Sequence, residues 1–367
     1  MKIATVLGAR PQFIKSALLS KELRKNNEEI IIHTGQHYDK EMSDIFFDEM
    51  GIPHPDYNLG IGSDTHARQT AHMMIALEKS FRCENPDLVL VYGDTNSTLA
   101  AALTASKLNI PIAHVEAGPR MFDRSVPEEV NRIVTDHVST RLFAPTQKSV
   151  ENLNNEGLFQ GVYLTGDVML DNFKYFHKKA KKSSKILATL NLEKKGYILV
   201  TAHRARNTDI KMNLKNIIKA CLAISKEIPI VFPLHPRTEK FLKEYGLMDN
   251  FNDFPNLNII KPVGYLDMLI LTINAKKIVT DSGGLQKESY FAKVPCITLD
   301  SSSAWPETVE QGWNLVVGEQ KYLSSKVLID SILQFEPSNE QDHVFGKGDA
   351  VIKICQKLDD FEGHFQY

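Results

Sequence analysis

The amino-acid sequence predicts an α/β protein made of two doubly wound units with parallel sheets. Short β-branched runs alternate with helical patterns from the N-terminus. The same alternation starts again after a lysine-rich stretch, Lys178–Lys185. A chain of 367 residues, 43% apolar and 24% charged, is long enough for two domains of roughly 100–200 residues each.

The elements are predicted in chain order. In the first unit the patterns indicate strands at Lys2–Leu7, Ile30–His33, Leu88–Tyr92 and Ile110–Val115, and helices at Pro11–Lys25 and Thr95–Leu108. In the second they indicate strands at Tyr197–Thr201, Ile228–Pro233, Leu257–Ile260, Lys277–Thr280 and Cys296–Leu299. We expect domains at 1–170 and 171–344, with the boundary near Gly166–Lys185. The lysine-rich stretch contains no aromatic residues, which favours a solvated helix end or linker over a binding patch.

Composition excludes several classes of function. Lys plus Arg number 43 and Asp plus Glu 45, a formal net charge of −2, so no overall field attracts nucleic acid or an anionic membrane. No apolar run approaches the 18 residues of a membrane span. We therefore expect a soluble, cytoplasmic protein with no nucleic-acid or membrane partner.

The sequence contains no motif for a metal or a dinucleotide. Four cysteines lie far apart, and twelve histidines lack H-E-x-x-H spacing. Neither the P-loop motif nor a G-x-G-x-x-G between a strand and a helix occurs. We expect chemistry without a metal and without a cofactor.

Polar residues cluster after the predicted strands, where open α/β sheets bind ligands. Cationic donors suited to a diphosphate occur there in both units: Arg10, Lys15, His203, Arg204 and Arg237. Ser282, Gly283 and Gly284 precede a helix and would let a phosphate approach its free N–H groups. An ordinary N-cap and tight turn explain them equally well. Glu288, further along that helix, either binds a ribose diol or faces solvent.

Three carboxylates, Asp94, Glu116 and Glu128, follow neighbouring strands of the first unit. Acids in different surroundings can divide the roles of proton acceptor and donor. Each has a structural alternative. Glu128 completes a capping box with Ser125, Asp94 caps the helix from Thr95, and Glu116 needs a buried partner.

Taken together, these motifs resemble the non-hydrolysing UDP-N-acetylglucosamine 2-epimerase family. The matching segments run in order along residues 1 to about 317: Gly8–Gln12 with Lys15, Thr34–His37, Tyr92–Thr95, His114–Gly118, Pro127–Arg132, Gly166–Met169, His203–Arg204, Leu234–Arg237 and Thr280–Gln286. Several of them, including residues 8–15 and 283–288, look more like the branch that acts on UDP-2,3-diacetamido-2,3-dideoxyglucuronate.

The resemblance implies a glycosyltransferase-B-type fold, two Rossmann-like domains with an interdomain cleft, in a homodimer whose C-terminal helix, about 345–367, packs back on the first domain. It implies inversion of C2 of a UDP-2-acetamido sugar, for surface-polysaccharide precursors, by anti elimination of UDP and re-addition, without nicotinamide or metal. The positions matching the acid/base group are Asp94, Glu116 and Glu128. Those matching the UDP-sugar site are Arg10, Lys15, Arg132, His203, Arg204, Ser282, Gly283, Gly284 and Glu288. An allosteric site is implied near Gln36 and His37, unless these only cap the following helix.

Departures from the family pattern keep other functions open. Pro119 and Met121 replace a Leu and a Ser, Arg206 stands where an acid is common, and Asp300 and Ala304 replace an Arg and a Glu. We hypothesise that Arg206 supplies the charge lost at position 300. The alternatives are a hydrolysing 2-epimerase that releases free sugar and UDP, a glycosyltransferase of the same fold, and a non-catalytic UDP-sugar sensor.

Overall fold

The computed structural model describes residues 1–36, 49–251, 254–318 and 322–360. They divide into two units. The first comprises the chain up to Tyr175 and the segment from His343 onward, and the second comprises Phe176–Asp342.

The first unit contains one parallel sheet flanked by helices. Its elements are β1 (Lys2–Leu7), α1 (Arg10–Leu23), β2 (Glu28–His33), β3 (Tyr57–Asn58), α2 (His66–Glu84), β4 (Leu88–Tyr92), α3 (Asn96–Lys107), β5 (Ile112–Val115), α4 (Pro127–Val138), β6 (Arg141–Ala144), α5 (Gln147–Asn155) and β7 (Val162–Leu164). The strand order is β3-β2-β1-β4-β5-β6-β7, and every pairing is parallel. The order reverses between β1 and β4, so the loops after these strands form a topological switch point.

Helix α6 (Val168–Ser183) leads into the second unit. That unit contains α7 (Ile186–Thr189), β8 (Ile198–Thr201), α8 (Ala205–Thr208), α9 (Lys211–Ile224), β9 (Ile230–Pro233), α10 (Pro236–Glu244), β10 (Leu257–Ile260), α11 (Tyr265–Asn274), β11 (Lys277–Thr280), α12 (Gly283–Phe291), β12 (Cys296–Thr298), α13 (Pro306–Glu310), β13 (Asn314–Val316) and α14 (Ser325–Gln334). The order β10-β9-β8-β11-β12-β13 is again parallel throughout, with its switch point between β8 and β11.

The predicted fold class is confirmed in both sheets. Strands β1, β4, β10 and β11 have the predicted bounds. Strand β5 begins two residues later than predicted, because Asn109 adopts a positive φ of 55° and the N–H of Ile110 donates to Ala105 at the end of α3. The lysine-rich stretch forms the largely exposed end of α6.

The last described helix, α15 (Ala350–Asp359), belongs to the first unit and packs against α1. Both carboxylate oxygens of Asp171 accept hydrogen bonds at its start, from the N–H groups of Ala350 (3.3 Å) and Val351 (3.1 Å). Asp171 therefore caps a helix distant in sequence. None of the described helices combines the length and apolar character of a membrane span.

Candidate functional site

At the switch point of the first unit, the loop after β1 packs against the start of α3. A Cβ on Gly8 would lie 2.1 Å from Oγ of Ser97 and 2.2 Å from Oγ1 of Thr34. No side chain fits at position 8, so glycine is required by close packing rather than by its backbone angles.

Gln12 fixes the same loop. Its Oε1 accepts hydrogen bonds from the N–H groups of Gly8 (2.8 Å) and Ala9 (3.0 Å). Its Nε2 donates to the carbonyl of Tyr92 and to the hydroxyl of Thr98, each at 3.0 Å. The side chain is buried, and its four bonds together connect the loop after β1 to the end of β4 and to the first turn of α3. The motif Gly8–Gln12 does not by itself indicate this role for Gln12, because the partners on β4 and α3 are distant in sequence.

Lys15 and Glu116 form a buried ion pair at the switch point. Nζ of Lys15 lies 2.6 Å from Oε1 of Glu116, and both side chains are less than a tenth exposed. Gly93 lies against this pair: a Cβ there would approach Nζ to 2.8 Å and Oε1 to 3.4 Å. Lys15 thus provides the buried partner that Glu116 was expected to need, and the backbone of Glu116 has a positive φ of 71°.

Arg132 joins two carboxylates. Its guanidinium donates to Asp94 at 2.5 Å and to Glu129 at 3.0 Å. Burial alone would lower the pKa of Arg132, but Asp94, Glu129 and Glu116 together raise it. Arg132 therefore lies close to both Asp94 and Glu116.

The two adjacent glutamates of α4 have different environments. Glu129 is buried and accepts from the N–H groups of Met121 (2.9 Å) and Phe122 (2.8 Å), so it holds the preceding loop. Glu128 is exposed to solvent. The capping-box interpretation is wrong. Val126 is the N-cap, and the hydroxyl of Ser125 donates to Asp123 instead.

The start of α3 is capped by other residues than expected. Thr95 is the N-cap and its Oγ1 accepts from the N–H of Thr98, so Asp94 does not cap this helix. Oε1 of Gln36 accepts from the N–H (3.2 Å) and the hydroxyl (2.6 Å) of Ser97. Gln36 thus caps α3, and the helix predicted to follow Gln36 lies outside the described residues. His37 lies outside the described residues.

In the second unit, Asp281 organises the loop after β8. The side chain is fully buried. Its Oδ2 accepts from the N–H groups of His203 (2.8 Å) and Arg204 (2.9 Å) and from Nδ2 of Asn207 (2.9 Å). Oδ1 lies 3.3 Å from Nδ1 of His203. The sequence reasoning noted Asp281 only as part of a strand-end motif. Its position at the end of an apolar strand was the signal for a buried acceptor.

Asp300 binds two arginines, Arg204 at the N-cap of α8 and Arg206 within that helix. Its Oδ2 lies 2.7 Å from Nη1 of Arg204, and its Oδ1 lies 3.3 Å from Nη1 of Arg206. Arg206 also donates to the carbonyl of Gly318. Arg206 and Asp300, two of the departures from the family pattern, are therefore direct partners. The base stands where the family commonly has an acid, and the acid stands where it has an arginine.

The remaining predicted residues lie at and near the start of α12. Ser282 is the N-cap without a side-chain cap bond, and Gly283 and Gly284 form the first turn. Glu288 is largely buried beside Tyr265. The pKa of Tyr265 is raised well above its usual value by burial and by the Glu288 carboxylate. Arg10 begins α1 and is partly exposed. Arg237 is paired with Asp209.

A family model described as UDP-N-acetylglucosamine 2-epimerase matches residues 21–359. The chain belongs to this 2-epimerase family. A Methanococcus maripaludis protein named UDP-N-acetylglucosamine 2-epimerase homolog is 55% identical over 98% of this chain and 99% of its own length. The UDP-2,3-diacetamido-2,3-dideoxy-D-glucuronate 2-epimerase of Pseudomonas aeruginosa is 42% identical over 98% of this chain and 99% of its own.

Solved 2-epimerase structures agree with the fold. The crystal structure of Methanocaldococcus jannaschii UDP-GlcNAc 2-epimerase in complex with UDP-GlcNAc and UDP aligns with a TM-score of 0.90 and 44% identity, covering 98% of this chain and 99% of that one. The family resemblance inferred from the motifs is thus confirmed, and with it the expected α/β fold.

Proposed function

We propose that this 2-epimerase family member inverts C2 of UDP-GlcNAc, without hydrolysis, by anti elimination and re-addition of UDP. The observation that carries the proposal is the pairing of Lys15 with Glu116 beside the pairing of Arg132 with Asp94, at the switch point of one sheet. Two carboxylates, each with a fixed cation, suit a reaction that removes a proton on one face of a carbon and returns it on the other.

The proposed reaction needs only protein groups. A carboxylate removes the proton from C2, the bond from C1 to the diphosphate oxygen breaks with its electron pair going to UDP, and a C1–C2 double bond forms. UDP then adds back to C1 while a protonated acid delivers a proton to the opposite face of C2. We assign these proton transfers to Asp94, Glu116 and Glu128.

We propose that cationic side chains and N–H groups bind the departing diphosphate, because they stabilise the charge that develops on it. These donors are Arg10, Lys15, Arg132, His203, Arg204, Ser282, Gly283 and Gly284. Glu288 is assigned to the ribose. In the described chain, α12 begins without a side-chain cap, which leaves its first N–H groups available to a phosphate.

The test is proton exchange at C2. The protein is incubated with UDP-GlcNAc in D₂O, and the H2 and anomeric signals are followed by NMR. We expect deuterium at C2 and a second UDP-linked epimer. Glu116→Gln should lower the exchange rate at least about 100-fold, whereas Glu151→Gln, an exposed control on α5, should not. UDP bound without exchange would refute the proposal in favour of a sensor, and free sugar matched by UDP would indicate hydrolysis.

A second substrate is favoured by the 42% identical Pseudomonas relative, which is named for a diacetamido glucuronate. The same experiment with the UDP-linked diacetamido uronic acid decides between the two. Exchange with this sugar alone would reassign the substrate and keep the C2 chemistry.

We also propose that the protein is a cytoplasmic homodimer, as the family resemblance implies. Light scattering after size-exclusion chromatography should give twice the mass of one chain. A mass of one chain would contradict the dimer.

A further inference from the structure

His114 is a buried histidine behind the acid/base pair, and the function proposed above gives it no role. It lies in β5 with no exposed surface. One ring nitrogen, Nε2, lies 2.7 Å from the carbonyl oxygen of Gly93. The other, Nδ1, lies 2.7 Å from Oδ1 of Asp136. Both nitrogens therefore face oxygen atoms.

The two oxygen atoms that face the His114 ring indicate which of its nitrogens carry a proton. A backbone carbonyl only accepts, and an ionised carboxylate only accepts. Burial alone would raise the pKa of Asp136, but His114 and Arg120 lower it below its usual value. The other carboxylate oxygen, Oδ2, receives Nη1 of Arg120 at 2.8 Å and the N–H of Gly118 at 3.1 Å. Two short contacts to acceptors require that both ring nitrogens donate.

The charges around the ring balance one another. Asp136 lies between His114 and Arg120, and Arg120 is itself bound to Glu156 through Nε at 2.7 Å and Nη2 at 2.8 Å. The result is a chain of hydrogen-bonded polar side chains, with the His114 ring at its buried end and the Glu156 carboxylate at its more exposed end. Such a chain avoids the cost of an uncompensated buried charge.

The Gly93 carbonyl bound by His114 belongs to the backbone that supports the acid/base pair. The N–H of Gly93 donates to Val115 at 2.9 Å, and its Cα faces Nζ of Lys15 and Oε1 of Glu116. The same peptide group carries the N–H of Asp94, which points away from the ring because the peptide is trans. His114 therefore holds the turn that carries Asp94 and packs against Lys15 and Glu116.

We propose that His114 is a doubly protonated positioning residue that, held by Asp136, fixes the Gly93 carbonyl and thereby the placement of Lys15, Glu116 and Asp94. The consequence for catalysis rests on the proposed epimerase function. The protonation state and the placement do not, and they are measured separately.

The first experiment is NMR of the ¹⁵N-labelled protein at pH 7.5, comparing wild type with His114→Gln. We expect one histidine ring with two bound protons, and we expect both of its N–H signals to disappear in His114→Gln. The buried ammonium of Lys15 should give a signal that shifts in this variant. A His114 ring with a single N–H proton, or an unchanged Lys15 signal, would overturn the proposal whether or not the protein is active.

The second experiment is kinetic and uses His72→Gln as the matched control, since His72 is an exposed histidine on α2. For His114→Gln we expect kcat per folded molecule to fall at least tenfold, and we expect the Kd for UDP, to which Lys15 contributes, to rise by a smaller factor. A role limited to folding would lower Tm and leave kcat per folded molecule unchanged, which would refute the positioning role.

A third variant keeps the test decisive if His114→Gln does not fold. Asp136→Asn keeps the shape of the partner and removes its charge. We expect the ring to lose one of its two protons in this variant and kcat to fall in the same direction. A ring that still carried both protons would refute the role of Asp136.

Discussion

The buried ion pair between Lys15 and Glu116 gives a quantitative prediction for stability. We consider Lys15→Met, Glu116→Met and the double variant, because methionine preserves most of the side-chain volume. At 2.6 Å, with the two side chains 8% and 7% exposed, each single substitution leaves the other charge buried without its partner. Breaking a buried pair in this way costs about 3–5 kcal/mol.

The double variant should lose much less than the sum of the two single variants, because no charge remains unpaired. We expect a coupling energy of about 2 kcal/mol or more, within the range for residues in direct contact. For a unit of roughly 200 residues, a loss of 3–5 kcal/mol lowers Tm by about 10 °C.

Urea unfolding followed by far-UV circular dichroism measures the cycle. Tryptophan fluorescence gives an internal reference, because Trp305 and Trp313, the two tryptophans of the sequence, both lie in the second unit. Single-variant losses that add to within about 0.5 kcal/mol in the double variant would mean that the two charges do not interact. That result would refute the reasoning.

Three further predictions follow from single contacts. Gly8→Ala should destabilise the protein by about 1–3 kcal/mol, because its Cβ would meet two hydroxyl oxygens within 2.2 Å; an unchanged urea midpoint would contradict this. Burial is the main cause that raises the pKa of Asp171 to about 6. Between about pH 4 and 6 the folded state therefore binds more protons at this residue than the unfolded state does. The stability that the protonated Asp171 contributes is lost as pH rises through 6. Asp171→Asn should flatten that fall in unfolding free energy relative to wild type, and parallel curves would refute the assignment. Alanine substitutions of Arg206 and Asp300 should show a coupling of about 1 kcal/mol in a double-mutant cycle, because both side chains are partly screened by solvent; a coupling of zero would mean the contact contributes nothing.

The sequence predicts the central strands of both sheets because their signal is local, whereas it does not predict the short strands β3, β6, β7 and β13. A buried parallel strand is a short apolar run, and β4 (Leu88–Tyr92) is fully buried along its length. The ends of helices are harder to predict, because their caps come from distant residues. Gln36 caps α3 across about 60 positions, and Asp171 caps α15 across about 180. No local pattern contains such partners.

The candidate site, too, can be predicted from the sequence only in part. The motif positions identify Lys15, Glu116 and Arg132, but not which carboxylate each cation binds. The exchange of charge at Arg206 and Asp300 looked like two separate departures in the sequence, and only the fold reveals that the two side chains meet. Likewise, the neighbouring Glu128 and Glu129 are indistinguishable by type, and their burial alone separates them.

Both units fix the loop after a central strand by the same device. In the first, Oε1 of Gln12 accepts two consecutive backbone N–H groups after β1, and in the second, Oδ2 of Asp281 accepts two after β8. A loop whose N–H groups are already bonded cannot offer them to an anion. What these loops can offer is a rigid base for side chains such as Arg10 and His203.

The helix that follows β11 differs from these loops and from α3. The first turn of α3 is occupied by Thr95 and Gln36, whereas α12 begins at Gly283 without a side-chain cap. The first turn of α12 therefore has N–H groups without a side-chain cap at the positive end of the helix dipole. Its first two residues, Gly283 and Gly284, have no side chain to block an anion. The starts of α1 and α8 also lack a cap bond from the N-cap side chain, but the first turn of α1 contains Pro11, which has no N–H, and α8 is only four residues long. We therefore assign the diphosphate to the start of α12 and the proton transfers to the carboxylates at the first unit's switch point.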